Sequence, residues 1–342
     1  MSLRRGLLPR LSRRGFASAA TVFDRSLKRH HRERAALSPH LAQYSYLRDE
    51  IAERLVDRLD DVHESYAFPD AVDLCTGSGS VRRALAGRGG VERLLELDTA
   101  EAMLAASAAE EAAAATADGA ATAADDGFPA IEVTRRVLDD EVPRLERESA
   151  DLIISNMAMH WVNDLPNSLA ATRRALRPNG LFLGAMLGGE TLAEMRSAFV
   201  LADLERSGGV AQRMSPLCSV ADAGALLQAA GFALPTVDTE VITVRYPDAW
   251  TLWAHLRGMG ESHAAVNRSH ANRATLAAAA AIYAELYGDP EDGSIPASFQ
   301  LIYMTGWSPH ESQQRPLPRG SAGVSLKDLP NIEDIMKSIP PK

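Results

Sequence analysis

The stretch VDLCTGSGS, residues 72–80, decides how this sequence is interpreted. An apolar run leads into two glycines, Gly77 and Gly79, and a helical pattern follows from Ser80. Glycine lets the backbone approach a ligand closely, and a helix N-terminus presents free N–H groups, so such a turn is typical of nucleotide-binding folds. Because two glycines do not specify the ligand, its identity has to be inferred from the residues that follow.

Segments typical of strands alternate with helical patterns along most of the chain. The apolar segments lie at 71–75, 91–97, 131–137, 151–155, 181–187, 237–244 and 299–307. Strands that alternate with helices predict a parallel sheet covered on both faces, with ligands at the carboxyl ends of the strands. The two late strands flank a helical insertion and predict an antiparallel finish. We therefore predict an α/β fold with a mostly parallel, seven-stranded sheet.

Acidic residues at the predicted strand ends indicate which cofactor the turn serves. A dinucleotide fingerprint needs a third glycine where this sequence has Arg82, and the Gly-Lys-Ser/Thr of a phosphate-binding loop is absent. Asp98 ends the second strand, where ribose hydroxyls would lie, and Asp139 follows the third, beside the adenine. Asp73, inside the first strand, can orient the turn and meet a methionine ammonium. Viewed singly, Asp98 could be a helix N-cap and Asp139 a surface acid, but together they favour S-adenosylmethionine over NAD and a class I methyltransferase (Rossmann-like) fold.

The N-terminus differs in composition from the rest of the chain. Residues 1–20 contain five arginines and no acid, which is typical of a mitochondrial transit peptide; the alternative is a disordered basic tail. Its removal would change the net charge from −9 to −14, and a protein this acidic offers no electrostatic case for binding nucleic acid. The two cysteines suit a reducing compartment, and the chain has no apolar run long enough to predict a membrane-spanning helix.

Changes in composition divide the chain into five segments. The alanine-rich stretch has too little apolar bulk to be anchored firmly, and we predict that it extends the second crossover into solvent, away from the chemistry. The predicted segments are the transit peptide at 1–20, an N-terminal basic segment and helix at 21–66, the cofactor-binding core at 67–187 with its alanine-rich extension at 105–127, the C-terminal part of the fold with a helical insertion at 188–310, and a tail at 311–342.

Several motifs carry a resemblance to known families. MHWVNDLP, which follows Asn156 and the fourth strand, resembles the class I methyltransferases that include the malonyl carrier-protein methyltransferase. Motifs outside the shared core are longer and more unusual, and they resemble the mitochondrial complex I assembly factor 5 family over roughly residues 22–330. They are FDRSLKRHHRERAA, GAMLGGETLAEMR, GMGESHAAVNR, DGSIPASFQLIYMTGW and RGSAGVSL.

This resemblance implies an arginine hydroxylase that binds S-adenosylmethionine and acts on the iron–sulfur core subunit of complex I near the quinone site. It also implies a peripheral protein on the matrix face of the inner mitochondrial membrane, which works with that subunit and with assembly intermediates. Cys75 departs from the glycine that is usual at its position. The cofactor-binding pattern maps onto Asp73, Gly77, Gly79, Asp98, Asp139 and Asn156.

Polar residues near the predicted substrate side of the cofactor are candidates for catalysis and substrate binding. His160 can take up a proton and Trp161 can stack on a guanidinium; alternatively, the histidine caps the next helix and the tryptophan packs beneath it. Glu190, Glu261 and Asn267 lie in glycine-bearing loops and can bind a guanidinium through paired hydrogen bonds or merely cap those loops. Two histidines and a carboxylate with the spacing of an iron site are not evident, so we predict no metal ion.

Three functions are open at this point. The resemblance favours an arginine hydroxylase, although nothing in the residue pattern predicts hydroxylation. Fold reasoning by itself favours an S-adenosylmethionine-dependent methyltransferase that acts on a protein or carboxyl substrate. A third alternative is a non-catalytic assembly chaperone that uses the cofactor pocket structurally.

Overall fold

The seven strands described here form a single sheet. The computed structural model describes residues 21–63, 66–117, 131–138 and 141–314. Its strands are β1 (Asp70–Leu74), β2 (Arg93–Asp98), β3 (Glu132–Val137), β4 (Ala150–Asn156), β5 (Leu176–Leu187), β6 (Ala233–Tyr246) and β7 (Ile295–Trp307). Their order is β3-β2-β1-β4-β5-β7-β6; the first five are parallel, and β7 runs antiparallel to both β5 and β6. The predicted α/β fold with a mostly parallel, seven-stranded sheet is confirmed.

Helices precede, connect and follow the strands. In chain order they are α1 (Arg25–Ala36), α2 (Leu41–Tyr44), α3 (Tyr46–Val56), α4 (Ser80–Leu85), α5 (Glu101–Ala117), α6 (Leu165–Ala175), α7 (Ala193–Ser207), α8 (Val220–Ala230), α9 (Ala249–Gly258) and α10 (Arg273–Tyr287). None of the helices in the described ranges combines the length and apolar character needed to cross a bilayer.

The sheet has a packed helical layer on each face, because successive strand residues point in opposite directions. Ala71 and Leu152 belong to a core formed with α3, α4, α7, α9 and α10. Their neighbours Val72 and Ile153 belong to the opposite core, formed with α6 and α8. Because both faces of the central strands are apolar, a helical layer is needed on each face to bury them. A register slip of one residue would exchange the two sets of apolar side chains between the two cores.

The structure also differs from the sequence-based expectations in several elements. Apolar residues at steps of four over 41–62 predict one helix, but the structure has two, α2 and α3, separated at Ser45. The helical pattern that begins at Leu165 predicts a helix through Leu176, but α6 ends one residue earlier, where β5 begins. Helix α7 was not predicted; it ends at Gly208, whose φ of 66° suits glycine. The predicted transit peptide, most of the predicted tail and residues 118–127 of the alanine-rich segment lie outside the described residues.

The N-terminal basic segment folds onto its own chain. Helix α1 begins at the N-cap Asp24, whose carboxylate accepts a hydrogen bond from Leu27 N–H at 3.0 Å. The preceding residue, Phe23, bridges to Ala265 and packs against Trp161. Lys28 and Arg32, which belong to a basic stretch that has the composition of a solvent-exposed segment, therefore lie at the carboxyl ends of the strands.

Candidate functional site

The glycine turn has the backbone conformation that the sequence predicted. Gly77 and Gly79 have φ values of 65° and 83°, in the left-handed region that glycine occupies without strain. Cys75 has a φ of 64°, an unfavourable value for a residue with a Cβ. A glycine would adopt this conformation without strain, so the cysteine at this position makes the turn slightly less favourable.

Asp98 is placed where a ribose-binding carboxylate is expected, but its oxygens are already engaged. Oδ1 accepts from Ala100 N–H at 2.9 Å and from Arg32 Nε at 3.2 Å. Oδ2 accepts from Gly77 N–H at 3.0 Å and from Arg32 Nη2. The carboxylate has no exposed surface, and Arg32 on α1 is 4% exposed. Asp98 thus forms a buried, two-pronged ion pair with an arginine 66 residues earlier in the chain.

Arg48 on α3 closes the space beside the glycine turn. Its guanidinium donates to the carbonyl oxygens of Asn156 at 2.8 Å, Met157 at 3.2 Å and Cys75 at 3.3 Å. A Cβ added to Gly77 would lie 3.2 Å from Arg48 Cδ, so the side chain lies directly against the turn. Arg48 therefore ties together the carboxyl ends of β1 and β4.

Two of the predicted cofactor residues retain unused hydrogen-bonding capacity. Both carboxylate oxygens of Asp73 and the Oδ1 of Asn156 are buried without a hydrogen-bond partner. Burial raises the pKa of Asp73 to about 8, an effect that the nearby Thr76 hydroxyl only partly offsets. Unpaired polar atoms in a protein interior call for an explanation, and a polar ligand is one.

The residues match S-adenosylmethionine in kind, but the space is filled. The cavity left beside Gly77, Arg48 and Glu261 is about 20 Å³, enough for one water molecule. Pockets for small organic ligands measure roughly 300–1,000 Å³. In this arrangement Arg32 occupies the carboxylate that the ribose would need, so the site as described does not accommodate the cofactor.

A second polar cluster is centred on Glu261, in the loop after α9. Its Oε2 accepts from Trp161 Nε1 at 2.6 Å and lies 3.2 Å from His160 Nε2 and 3.1 Å from Lys28 Nζ. The same ammonium donates to Gly260 O at 2.8 Å and lies 3.8 Å from the centre of the Trp161 ring. The structure therefore unites three predicted site residues, His160, Trp161 and Glu261, with a cation from α1.

Burial and charge determine the protonation states in this cluster. Burial alone would raise the pKa of Glu261, but Lys28, His160 and Arg48 outweigh it and hold that pKa well below its usual range. Burial lowers the pKa of Lys28 to about 7 despite the attraction of Glu261, and it also lowers the pKa of His160. A neutral imidazole that donates from Nε2 leaves Nδ1 unprotonated, and His160 Nδ1 is buried without a partner.

An apolar cavity of about 340 Å³ adjoins this cluster between α7, α9 and α10. Its polar lining residues are Glu261, His160 and Trp161 together with Thr191, Arg213, Ser215, Ser262 and His263. Glu261 Oε1 is buried without a hydrogen-bond partner, and Arg48 Nη2 lies 3.9 Å from it. The apolar walls include Met195, Phe199, Met214, Trp253, Leu256 and Met259. A carboxylate in the lining of an apolar cavity suits a cation on an apolar stem.

The other predicted site residues are placed elsewhere. Glu190 and Asn267 are exposed, and neither lines the apolar cavity. Asp139 lies outside the described residues, so its place beside the adenine stays a prediction. Within the described ranges, no three His, Cys, Asp or Glu side chains are grouped to hold a metal ion, and the absence of a metal also stays a prediction.

Two buried cations and one half-buried cation were missed by the sequence reasoning. Lys28 and Arg32 lie one turn apart on α1, with His31 and Ala35 also on the buried side. These residues have the spacing of the buried face of an amphipathic helix, but most of them are charged or polar. A hydropathy pattern therefore does not reveal that this face is buried. Arg48 follows Leu47 on α3 and had the character of an ordinary surface arginine.

The sheet order and the turn between β1 and α4 define a protein with the class I methyltransferase fold. The family model described as "Methyltransferase domain" matches residues 72–184, from β1 into β5. This match covers the half of the fold in which the glycine turn, Asp98 and Asn156 lie.

Full-length relatives identify the family. The chain is 41% identical to "Arginine-hydroxylase NDUFAF5, mitochondrial" of Danio rerio, over 93% of each chain. It is 40% identical to the Homo sapiens protein of the same name, over 97% of this chain and 91% of the other. A "Malonyl-[acyl-carrier protein] O-methyltransferase" of Methylovorus sp. is 29% identical over 90% of this chain and 96% of the other. The chain belongs to the NDUFAF5 arginine-hydroxylase family.

Proposed function

We propose that this protein hydroxylates one arginine of the iron–sulfur core subunit of complex I, near the quinone site, during assembly of the complex. The relatives at about 40% identity are named arginine hydroxylases and match nearly the whole chain. The proposed partners are that subunit and the assembly intermediates that contain it. The proposed location is the mitochondrion, peripheral on the matrix face of the inner membrane, in keeping with the mitochondrial names of the relatives.

The observation that carries this proposal is the Glu261 carboxylate, which lines the apolar cavity and has one oxygen without a hydrogen-bond partner. A substrate arginine needs apolar walls for its methylene groups and a carboxylate for its guanidinium. The cavity of about 340 Å³ supplies the walls, and Glu261 Oε1 supplies an acceptor whose pKa keeps it ionised. The indole of Trp161 and the imidazole of His160 hold the other carboxylate oxygen and thereby fix the orientation of the acceptor.

Hydroxylation of an arginine C–H bond is a two-electron oxidation. With dioxygen as the oxygen source, one oxygen atom enters the C–H bond and the other leaves as water, so two electrons and two protons from a reductant are also consumed. The roles we assign to this chain are to bind the guanidinium and to exclude water around the methylene groups. Trp161 holds the carboxylate that binds the substrate.

S-adenosylmethionine is the cofactor we propose for the strand ends. Asp98 would hold its ribose, the turn at Gly77 and Gly79 would admit its methionine end, and Asp73 and Asn156 offer unused polar atoms. When bound, this group would supply a positively charged sulfonium. Its binding requires an arrangement in which Arg32 has left Asp98.

The test is the mass of the arginine-containing peptide from the iron–sulfur subunit in cells that lack their own copy of this enzyme. Cells supplied with this protein should show a gain of one oxygen on that peptide. Glu261→Gln keeps the shape of the side chain but removes the charge, and we expect at least a tenfold loss of the oxygenated peptide. Glu190→Gln is the matched control, since Glu190 is exposed and does not line the cavity, and it should retain the modification.

Other results of the same experiment would contradict the proposal. An oxygenated peptide that persists with Glu261→Gln, at equal protein abundance, would show that Glu261 does not bind the substrate arginine. A gain of one methylene would support methyl transfer, the second candidate, which is favoured by the match at 72–184 and by the similarity to the malonyl carrier-protein methyltransferase. Normal assembly without any change in mass would support a chaperone, for which the filled cofactor site is the supporting observation.

A further inference from the structure

Helix α1 places two cations of the protein itself into the two polar centres of the site. Arg32 engages both oxygens of Asp98, and Lys28, one turn earlier on the same face, lies 3.1 Å from Glu261 Oε2. All four side chains are 5% exposed or less. Since residues i and i+4 lie on one side of a helix, both cations enter or leave together when the helix moves.

A ribose cannot reach Asp98 while Arg32 is in place. The two hydroxyls of a ribose need carboxylate oxygens with free lone pairs, whereas each oxygen of Asp98 already accepts one backbone N–H and one guanidinium N–H. The backbone donors Gly77 and Ala100 belong to the strand-end turns and stay with the carboxylate. The guanidinium is the part that a ribose would have to replace.

We propose that α1 is an internal competitor for the cofactor site: Arg32 occupies the ribose carboxylate Asp98, and a nucleoside cofactor binds only when α1 moves off the strand ends. The same movement withdraws Lys28 from Glu261, a residue that lines the apolar cavity. Cofactor binding and the charge on the lining of that cavity are thereby coupled through one helix. This coupling does not depend on which reaction the protein catalyses.

The free energy of cofactor binding depends on an exchange of partners at the Asp98 carboxylate, from the Arg32 guanidinium to the ribose hydroxyls. Removal of a guanidinium from a buried carboxylate is costly unless new donors replace it, and the ribose hydroxyls provide them. In a variant without the guanidinium, Asp98 keeps only its two backbone donors, so no ion pair has to be broken when the ribose arrives. Cofactor affinity should therefore rise when Arg32 is replaced, the reverse of what is expected for a residue that helps to bind the cofactor.

The experiment is calorimetric titration of S-adenosylhomocysteine and S-adenosylmethionine into the full chain, its Arg32→Met variant and its Arg29→Met variant. Methionine keeps an apolar stem of similar length and removes the donors. Arg29 is exposed on the same helix and gives a control with the same change in charge. We expect at least tenfold tighter binding for Arg32→Met and unchanged binding for Arg29→Met. The proposal would be overturned if a folded Arg32→Met protein bound these compounds with the affinity of the wild type, more weakly, or not detectably.

A second measurement applies to the unaltered protein and decides the matter if Arg32→Met does not fold. Amide hydrogen exchange is followed with and without millimolar S-adenosylhomocysteine. Amides of α1 at 25–36 should exchange faster in the presence of the cofactor, while those at 93–98 in β2 do not. Unchanged or slower exchange of α1 would mean that the helix stays in place, and the competitor role would be rejected.

Discussion

Replacement of Asp73 by asparagine should stabilise the protein, and increasingly so as the pH rises. Asp73 lies in β1 with no exposed surface and no hydrogen-bond partner for either oxygen. An ionised carboxylate is costly there, and asparagine has nearly the same shape without the charge. The substitution therefore isolates the cost of the ionisable group from the cost of a cavity.

The pH dependence follows from the pKa of Asp73, which burial raises from 3.8 to about 8 in the folded protein. Between these values the folded protein binds more protons than the unfolded chain, so stability falls as the pH rises and the loss is complete above about pH 8. Each pH unit in this window corresponds to about 1.4 kcal/mol. From about pH 5 to 7.5 the wild type should lose at most about 3 kcal/mol relative to Asp73→Asn, and protein relaxation reduces this to between about 1 and 3 kcal/mol.

Urea unfolding of both proteins at the two pH values measures this difference. The other titrating groups are common to both proteins and cancel, as does any fixed cost of burying the amide. The advantage of Asp73→Asn should be larger at the higher pH by the stated amount, with an unchanged m-value. An advantage that is constant across pH would refute the reasoning, because it would mean that Asp73 does not titrate in this window.

Two further substitutions test the packing around the site. Arg213→Met removes two hydrogen bonds, at 2.7 and 3.0 Å, to the buried Asp203 on α7; these bonds lower the pKa of Asp203 and hold the segment beside the apolar cavity to α7. We expect the free energy of unfolding in urea to fall by about 2–4 kcal/mol. An unchanged free energy of unfolding would contradict this pairing. Gly258→Ala would place a Cβ 2.3 Å from Tyr44 Cδ2 at the contact between α9 and α2, and we expect a cost of about 1–3 kcal/mol, seen as a lower Tm; a Tm equal to wild type would show that α2 adjusts freely.

The sheet could be predicted because its information is local. Each central strand is a short apolar run bounded by turn residues, and alternation with helices leaves few possible topologies. The glycine turn and Asp98 could be placed for the same reason, since each lies next to the end of a strand and carboxyl ends of parallel strands meet at one edge. Helix boundaries were less accurate: the chain path between α6 and β5 changes at Leu176, a residue type that suits either element.

The occupants of the site could not be predicted because they come from distant parts of the sequence. Arg32 meets the carboxylate of Asp98, 66 residues later, and Lys28 meets Glu261 and the adjacent Gly260, which follows Lys28 by 232 residues. In the sequence both belong to a basic stretch that has the composition of a solvated surface or partner-binding segment. Only the folded position of α1 shows that these charges are buried and that their partners are two residues already singled out for function.

The site differs from the rest of the core in the number of buried ionisable side chains it contains. Buried ion pairs contribute little net stability, since apolar residues of similar size often serve as well, and Asp73 and Lys28 even have pKa values shifted toward their neutral forms. A fold selected for stability alone would replace them. Their concentration at the carboxyl ends of β1, β2 and β4, around Asp98 and Glu261, therefore indicates a functional constraint on this edge of the sheet. Since one fold can host many reactions, we expect the groups that surround the turn, α1 included, and not the turn itself, to decide the reaction of this protein.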